Sequence, residues 1–204
     1  MSFRETILNE ALVIFEHKGI ENISLETLLD DLEISRGTLL GIAGTKKELV
    51  QHCIQHSIKE RQAALNQVLA TTEHPLEALL QMLQLTLEEV YSLNHDFVQD
   101  LRDHYPLSWV RLHLYMRTLS EEYLKPLLQQ SIALGYLQAD LLPELVVRMF
   151  LSQMQGLTNP ALFPANRFGY QELFKVVVVY YLRGCATPLG QEQIEEYTCR
   201  ALAQ

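Results

Sequence analysis

Apolar residues recur along this chain with the period of an α-helix. Near the start, apolar positions stand at steps of three and four residues: Ile7, Leu8, Ala11, Ile14 and Phe15. This spacing puts apolar side chains on one helix face, and a glycine is common directly after a helix end. We therefore expect a first helix that ends at Gly19.

The same periodicity predicts helices along the rest of the chain, each opened by a capping residue or a proline. The expected segments are 25–32, 36–42, 45–71, 75–93, 96–104, 106–134, 143–157, 168–184 and 191–204. A loop rich in Pro, Asn and Phe is expected over 159–167. The β-branched run VVVVY at 176–180 lies in a long apolar stretch and is interpreted as buried helix. The predicted fold class is all-α, with about nine to ten helices.

Two short predicted helices joined by a turn precede residue 50, which is the layout of a helix-turn-helix module. Ser35 and Thr38 offer hydroxyls, and Arg36 offers a guanidinium, on the predicted exposed side of the third helix. In such modules this helix lies in the major groove of DNA. The next helix opens with TKK at 45–47, where free N–H groups and two ammonium groups suit a phosphate.

Residues 4–50 resemble the DNA-binding segment of the TetR family of bacterial one-component regulators. The matching positions are Ile7, Leu8, Ala11, Phe15, Gly19, ISRGTL at 34–39, Lys46, Glu48 and Leu49. The resemblance implies a DNA-binding domain over 1–50 and an all-helical ligand-binding and dimerisation domain over 51–204. The residues expected at DNA are Ser24, Thr27, Ser35, Arg36, Thr38, Leu40, Gly41, Thr45 and Lys46.

The chain also departs from the family pattern inside this segment. Glu33 stands where the family usually has a turn glycine, and Leu29 where it has alanine. Leu40 replaces a tyrosine that usually reaches the DNA backbone, and Ala43 replaces a phenylalanine. Leu29 is expected to fill volume around Ala43, whereas Leu40 and Gly41 remove side-chain contacts to DNA.

The charge of the chain weakens the DNA-binding interpretation without excluding it. The net charge is −9, and the first 61 residues hold seven Lys or Arg against ten Asp or Glu, a balance of −3. The predicted function is a transcriptional regulator, expected to be a repressor, that binds a palindromic operator as a homodimer and is released by a small-molecule effector. The alternative is a ligand- or protein-binding module of the same fold whose DNA binding is weakened or lost.

Other function classes find no support in the sequence. It lacks the catalytic motifs G-x-S-x-G and H-E-x-x-H and any glycine-rich phosphate loop, so an enzyme is not expected. His52, Cys53 and His56 offer too few ligands for a metal, and no cofactor is predicted. The three cysteines are far apart, no apolar run is long enough for a membrane span, and no secretory leader is recognised. A cytoplasmic protein is expected.

The middle of the chain, from 82 to 123, is rich in aromatic and Met residues with polar tips, which suits a ligand pocket. A core with partly solvated tyrosines is the alternative. The expected lining residues are Phe97, Tyr105, Trp109, Met116 and Phe150. Few basic residues lie here, which favours an apolar or cationic effector, although Arg102 and Arg111 leave an anion open.

Two late helices carry apolar stripes that are broad enough for a partner. The first stripe is Leu145, Met149, Ser152 and Gly156, and the second is Phe174, Val177, Val178 and Tyr181. Paired with their two-fold copies, such helices form a four-helix bundle, which predicts a homodimer. Burial of these stripes within one monomer is the alternative.

Overall fold

The computed structural model describes residues 2–159, 161–164 and 167–202, and apart from one isolated bridge the regular secondary structure in these residues is helical. The helices are α1 Phe3–Lys18, α2 Leu25–Asp31, α3 Arg36–Leu40, α4 Lys46–Thr71, α5 Pro75–Tyr91, α6 His95–His104, α7 Pro106–Thr118, α8 Lys125–Ala133, α9 Pro143–Leu157, α10 Tyr170–Phe174, α11 Tyr181–Cys185 and α12 Pro188–Leu202. Two π-helical segments, Leu119–Leu124 and Lys175–Tyr180, join α7 to α8 and α10 to α11. The all-α prediction is confirmed.

Most of the predicted helices are found, with differences at their ends. The VVVVY run is helical, as predicted, and takes the wider π geometry. The third helix ends at Leu40 instead of residue 42, and the last begins at Pro188 instead of residue 191. Residues 160, 165 and 166 of the predicted loop, and 203–204 of the last predicted helix, lie outside the described residues.

The chain divides into two compact units. Unit 1 comprises the chain up to Ala63 together with Ser92–Met116, and unit 2 comprises Ala64–Tyr91 and the chain from Arg117 onward. Unit 1 therefore combines the helix-turn-helix with α6 and most of α7. The predicted functional boundary after residue 50 stays a prediction.

The core of unit 1 is built from the apolar faces of α1 to α4 and α6. Its fully buried side chains include Phe15 of α1, Leu28 of α2, Leu49 of α4 and Leu101 of α6. Ala43 is buried in this core and Leu29 packs against it, and the expected filling of volume around Ala43 by Leu29 stays a prediction. These contacts fix the orientation of the two short helices, which are too short to be stable alone.

Unit 2 is organised around α5, which packs against α8, α9 and α12. One face of α5 supplies a row of buried residues: Leu76, Leu79, Leu80, Met82, Leu83 and Leu87. The turn before α9 and the segment before α12 meet in an isolated antiparallel bridge between Leu137 and Ala186. The early and late helices of the unit are thereby held together.

Candidate functional site

Two serine caps set the ends of the helix-turn-helix. The hydroxyl of Ser24 accepts a hydrogen bond from the backbone N–H of Thr27 at 3.0 Å, and Ser35 accepts one from Thr38 at 3.0 Å. In both pairs the two hydroxyl oxygens also lie within hydrogen-bond distance, at 2.9 and 2.8 Å. Two predicted DNA-contact residues, Ser24 and Ser35, thus serve first as helix caps, and two more, Thr27 and Thr38, are their hydrogen-bond partners.

The turn between α2 and α3 places Glu33 in the left-handed backbone region, with φ of +51°. This is the position at which the sequence departs from a family glycine. A residue with a Cβ atom pays about 1–2 kcal/mol for this conformation, because Cβ approaches the following carbonyl oxygen. The structure therefore explains why glycine suits the position and shows that this chain keeps the turn without it.

Replacing Glu33 with glycine is expected to raise the free energy of unfolding by about 1 kcal/mol, because the backbone strain is removed. Chemical denaturation followed by circular dichroism measures this change. Glu26→Gly removes the same charge from α2, where glycine weakens a helix, and should lower stability. Equal stabilisation by both variants would mean that charge, and not backbone conformation, is responsible.

The exposed face of α3 carries several of the predicted DNA-contact residues. Arg36, Gly37, Leu40 and Gly41 are exposed, whereas Leu39 is buried in the core of unit 1. Arg36 and Leu40 are four residues apart and hence neighbours on one helix face. Gly41 is the residue directly after α3, so it does not weaken the interior of this helix.

The start of α4 differs in detail from the phosphate-binding site expected at residues 45–47. The Thr45 hydroxyl accepts from the Glu48 N–H at 3.1 Å, and the Glu48 carboxylate accepts from the Gly44 N–H at 2.8 Å. The Lys46 ammonium donates to the Ile23 carbonyl at 2.7 Å. In this structure the Lys46 side chain therefore ties α4 to the segment before α2, and its expected phosphate contact stays a prediction.

Lys47 supplies the second ammonium group expected to suit a phosphate, and it is better placed for that contact than Lys46. Its side chain is exposed. In the described part of the helix-turn-helix and the start of α4, Arg36 and Lys47 are the exposed cations that form no ion pair or side-chain hydrogen bond within the protein. The sequence signal was the TKK triplet, which does not reveal which lysine turns inward.

The loop between α1 and α2 is held by a carboxylate from α6. The Asp100 side chain accepts hydrogen bonds from the backbone N–H groups of Ile20 and Glu21, at 2.7 and 2.8 Å. At the start of α6, Asn94 donates from its side chain to the His17 carbonyl at 2.9 Å. Sequence reasoning missed both residues, because no motif marks a contact between positions so distant in the chain.

The predicted lining residues are divided between the two units: Phe97, Tyr105, Trp109 and Met116 belong to unit 1, and Phe150 belongs to unit 2. Phe97 and Tyr105 are buried in the core of unit 1, and Trp109 packs against that core. The Tyr105 hydroxyl donates to the Glu21 carboxylate at 2.7 Å. Burial and this carboxylate raise the pKa of Tyr105, so the phenol stays neutral. In this structure these side chains pack in and against the core that supports the helix-turn-helix, and their role in a ligand pocket stays a prediction.

Phe150 lines a small apolar cavity inside unit 2. Its other walls are Leu79, Leu83, Leu124, Leu128, Val146, Val147, Tyr181 and Leu182. The cavity measures about 10 Å³, which is the lower limit for one water molecule. Met116, the remaining predicted lining residue, is half-buried at the end of unit 1. Nothing in the sequence distinguishes the leucines of this lining from ordinary core residues.

The two apolar stripes predicted to form a dimer interface differ in their exposure to solvent. On α9, Leu145 and Met149 are 54% and 47% exposed, Ser152 is exposed and Gly156 is half-buried, so this stripe is open. The second stripe is not open in this way.

In that second stripe Phe174, Val177 and Val178 are buried inside unit 2, with Val178 fully enclosed. Tyr181 is half-buried and donates to the Val146 carbonyl at 3.3 Å. These side chains complete the monomer core and leave Val176 and Tyr180 exposed on the opposite face. The predicted face of this helix was therefore the wrong one.

His52, Cys53 and His56, which were considered as metal ligands, have neighbours within the protein. Cys53 is buried, and burial raises the pKa of its thiol to about 12, so it stays protonated at neutral pH. His52 Nδ1 lies 3.2 Å from the Arg4 guanidinium, and His56 Nε2 lies 3.4 Å from Glu60. In the part of the chain that is described, no group of three or more possible ligands could hold a metal ion.

Similar folds are found among solved structures, although no protein-family model and no curated protein matches the sequence. The TetR family protein CprB from S. coelicolor A3(2) superposes with a TM-score of 0.71 and 13% identity, over 97% of this chain and 94% of that chain. The ketosteroid transcriptional regulator KstR2 of Mycobacterium tuberculosis gives 0.66 and 18%, over 91% and 96%. The TetR family transcriptional regulator PfmR from Thermus thermophilus gives 0.62 and 22%, over 86% and 94%.

This chain has the TetR fold. The resemblance seen over residues 4–50 therefore holds for the architecture of nearly the whole chain. In this fold α2 and α3 form the helix-turn-helix, and the exposed side of the motif lies on α3. No helix among the described residues combines the length and apolar character needed to cross a membrane.

Proposed function

We propose that this chain is a DNA-binding transcriptional regulator that binds a palindromic operator as a homodimer and releases it when a small molecule binds unit 2. The observation that carries the proposal is the exposed face of α3. It presents Arg36 and Leu40 from a helix whose opposite face is buried in unit 1. A rigidly held helix with one free face is what reading of the major groove requires.

Two cations support the DNA contact despite the negative balance of the chain. Arg36 lies on the exposed face of α3, where a guanidinium can bind a guanine edge through two hydrogen bonds. Lys47 lies at the start of α4 and suits a phosphate, which adds affinity without sequence preference. The nearby acidic residues, Glu26 and Glu33 among them, reduce the expected non-specific affinity.

The homodimer is supported by the exposed apolar side chains of unit 2. Leu142, Leu145 and Met149 at and along α9, with Val176 and Tyr180 on the π-helical segment before α11, are all substantially exposed. Apolar surface of this extent is typical of a protein interface. A two-fold dimer would present two copies of α3 to the two halves of a palindrome.

The effector is proposed to be apolar and to enter by enlarging the cavity beside Phe150. All but one of the lining residues are aliphatic or Phe, and the space itself is too small for an organic molecule. Binding would therefore select a conformation in which these side chains separate. Release of DNA requires that the two copies of α3 have a spacing in this conformation that does not fit the operator, and that the effector bind this conformation more tightly than the DNA-binding one.

Selection of binding sites from random duplex DNA tests the proposal. The wild-type protein should enrich a palindromic sequence at low salt. Arg36→Ala should weaken operator binding by about 1–3 kcal/mol and relax specificity at one base pair of each half-site. Lys47→Ala should weaken operator and random DNA equally, and flatten the slope of log affinity against log salt by about 0.9 per subunit.

Lys59→Ala is the matched control, since Lys59 is an exposed lysine farther along α4. It should change neither quantity. If no sequence is enriched and neither Arg36→Ala nor Lys47→Ala alters DNA affinity, the regulator proposal fails. The chain would then be a binding module with the same fold and no DNA-reading activity.

A further inference from the structure

We propose that Leu40 recognises the C5-methyl group of a thymine, so that Arg36 and Leu40 form the base-reading pair of each subunit. This inference rests on the proposed DNA-binding function and specifies its sequence preference. Leu40 is 58% exposed at the carboxyl end of α3. Its neighbour Leu39 already supplies the apolar contact that holds α3 on unit 1.

Leu40 has no role in the described core. It is neither among the buried residues of the unit 1 cluster nor among the partly buried side chains that pack against it. A large apolar side chain on a short polar helix gains nothing from water contact. Leucine cannot make the hydrogen bond by which the family tyrosine usually reaches the DNA backbone, so the contact left to this position is an apolar one made outside the monomer.

Gly37 and Gly41, which lie near Leu40, have no side chains, so they leave the backbone of α3 accessible around it. A Cβ atom built at Gly37 would meet only the Ser35 hydroxyl oxygen, at 3.6 Å, which is ordinary contact. At Gly41, where φ is −68°, it would lie 3.3 Å from the Thr38 carbonyl oxygen. Neither backbone conformation demands glycine, so their effect is a bare surface that lets the helix approach a partner closely.

Thymine is the base that matches a leucine at close approach. In the major groove it presents a methyl group, whereas cytosine, adenine and guanine present polar edges that leucine cannot satisfy. Arg36 supplies the complementary preference for guanine. Four residues of helix rise about 6 Å, or about two base-pair steps, so a guanine and a thymine should stand about two positions apart in each half-site.

Replacing thymine with uracil in the selected operator removes only the methyl group and tests the contact directly. Each thymine is replaced in turn, and the affinity of the wild-type protein is measured. One thymine per half-site should show about a fourfold loss, the equivalent of burying one methyl group. With Leu40→Ala, thymine and uracil should bind equally at that position.

Arg36→Ala is the control, because it should weaken the guanine preference and leave the thymine-to-uracil ratio unchanged. Circular dichroism should show all variants folded, as both side chains are exposed. If an operator is selected but no thymine shows a methyl effect, or if the effect survives in Leu40→Ala, the Leu40 assignment is overturned while DNA binding stands. Failure to select any operator overturns the proposed function itself.

Discussion

Replacing Asp100 with alanine should destabilise unit 1 by about 2–4 kcal/mol. Its carboxylate accepts two backbone N–H groups, from Ile20 and Glu21, and hydrogen bonds to charged groups are among the stronger ones. Without it, the loop before α2 loses its acceptors and Ile20 keeps a buried N–H without a partner. The free energy of unfolding, measured with urea, reports the loss.

The same helix supplies two controls for this effect. Asp103→Ala removes an exposed carboxylate that pairs with Arg102, and should leave the unfolding curve unchanged. Asp100→Asn keeps an acceptor oxygen at the same place and should retain most of the stability. Operator affinity should fall for Asp100→Ala alone, since the loop orients α2. An unchanged stability in Asp100→Ala would show that the Asp100 carboxylate does not support the helix-turn-helix.

Replacing Met149 with arginine should convert the protein to a folded monomer. Met149 is 47% exposed on the open stripe of α9, so the monomer accommodates a charge there. In a dimer the same charge would be desolvated without a partner, at a cost of about 3 kcal/mol or more, which weakens association by roughly 100-fold or more. Sedimentation equilibrium at micromolar concentration measures the change.

Leu69→Arg is a matched control for assembly, because Leu69 is 44% exposed on α4 and lies outside the stripe. It should leave the association constant unchanged. Val178→Glu should behave differently from both, lowering the stability of the fold because Val178 is fully enclosed. A Met149→Arg protein that associates like the wild type would exclude the α9 stripe as the interface.

The helices were predictable because their signals are local in the chain. The caps at Ser24 and Ser35, and the prolines that open α5, α7 and α9, each act within one or two turns. The π geometry of the two long helices was not predictable. It depends on how a helix accommodates its neighbours, and the apolar pattern of a π segment resembles that of an α-helix.

The role of aromatic side chains was the least predictable feature. A cluster of aromatic and Met residues is typical of both a ligand pocket and a core. Tyr105 shows the difference: its ring fills the core of unit 1 and its hydroxyl reaches Glu21, a residue 84 positions away. The prediction for Val178 failed for a related reason, since a helix that is apolar all round does not reveal which side meets a partner.

The sequence by itself determined the all-α fold, the helix-turn-helix and the position of α3, because periodicity and capping depend on neighbouring residues. It also singled out Glu33 and Leu40 as departures with consequences. Only the tertiary structure decided that Lys46 turns inward and that Asp100 holds a loop 80 positions away. Such contacts depend on chain segments meeting in space, and local sequence pattern carries no record of them.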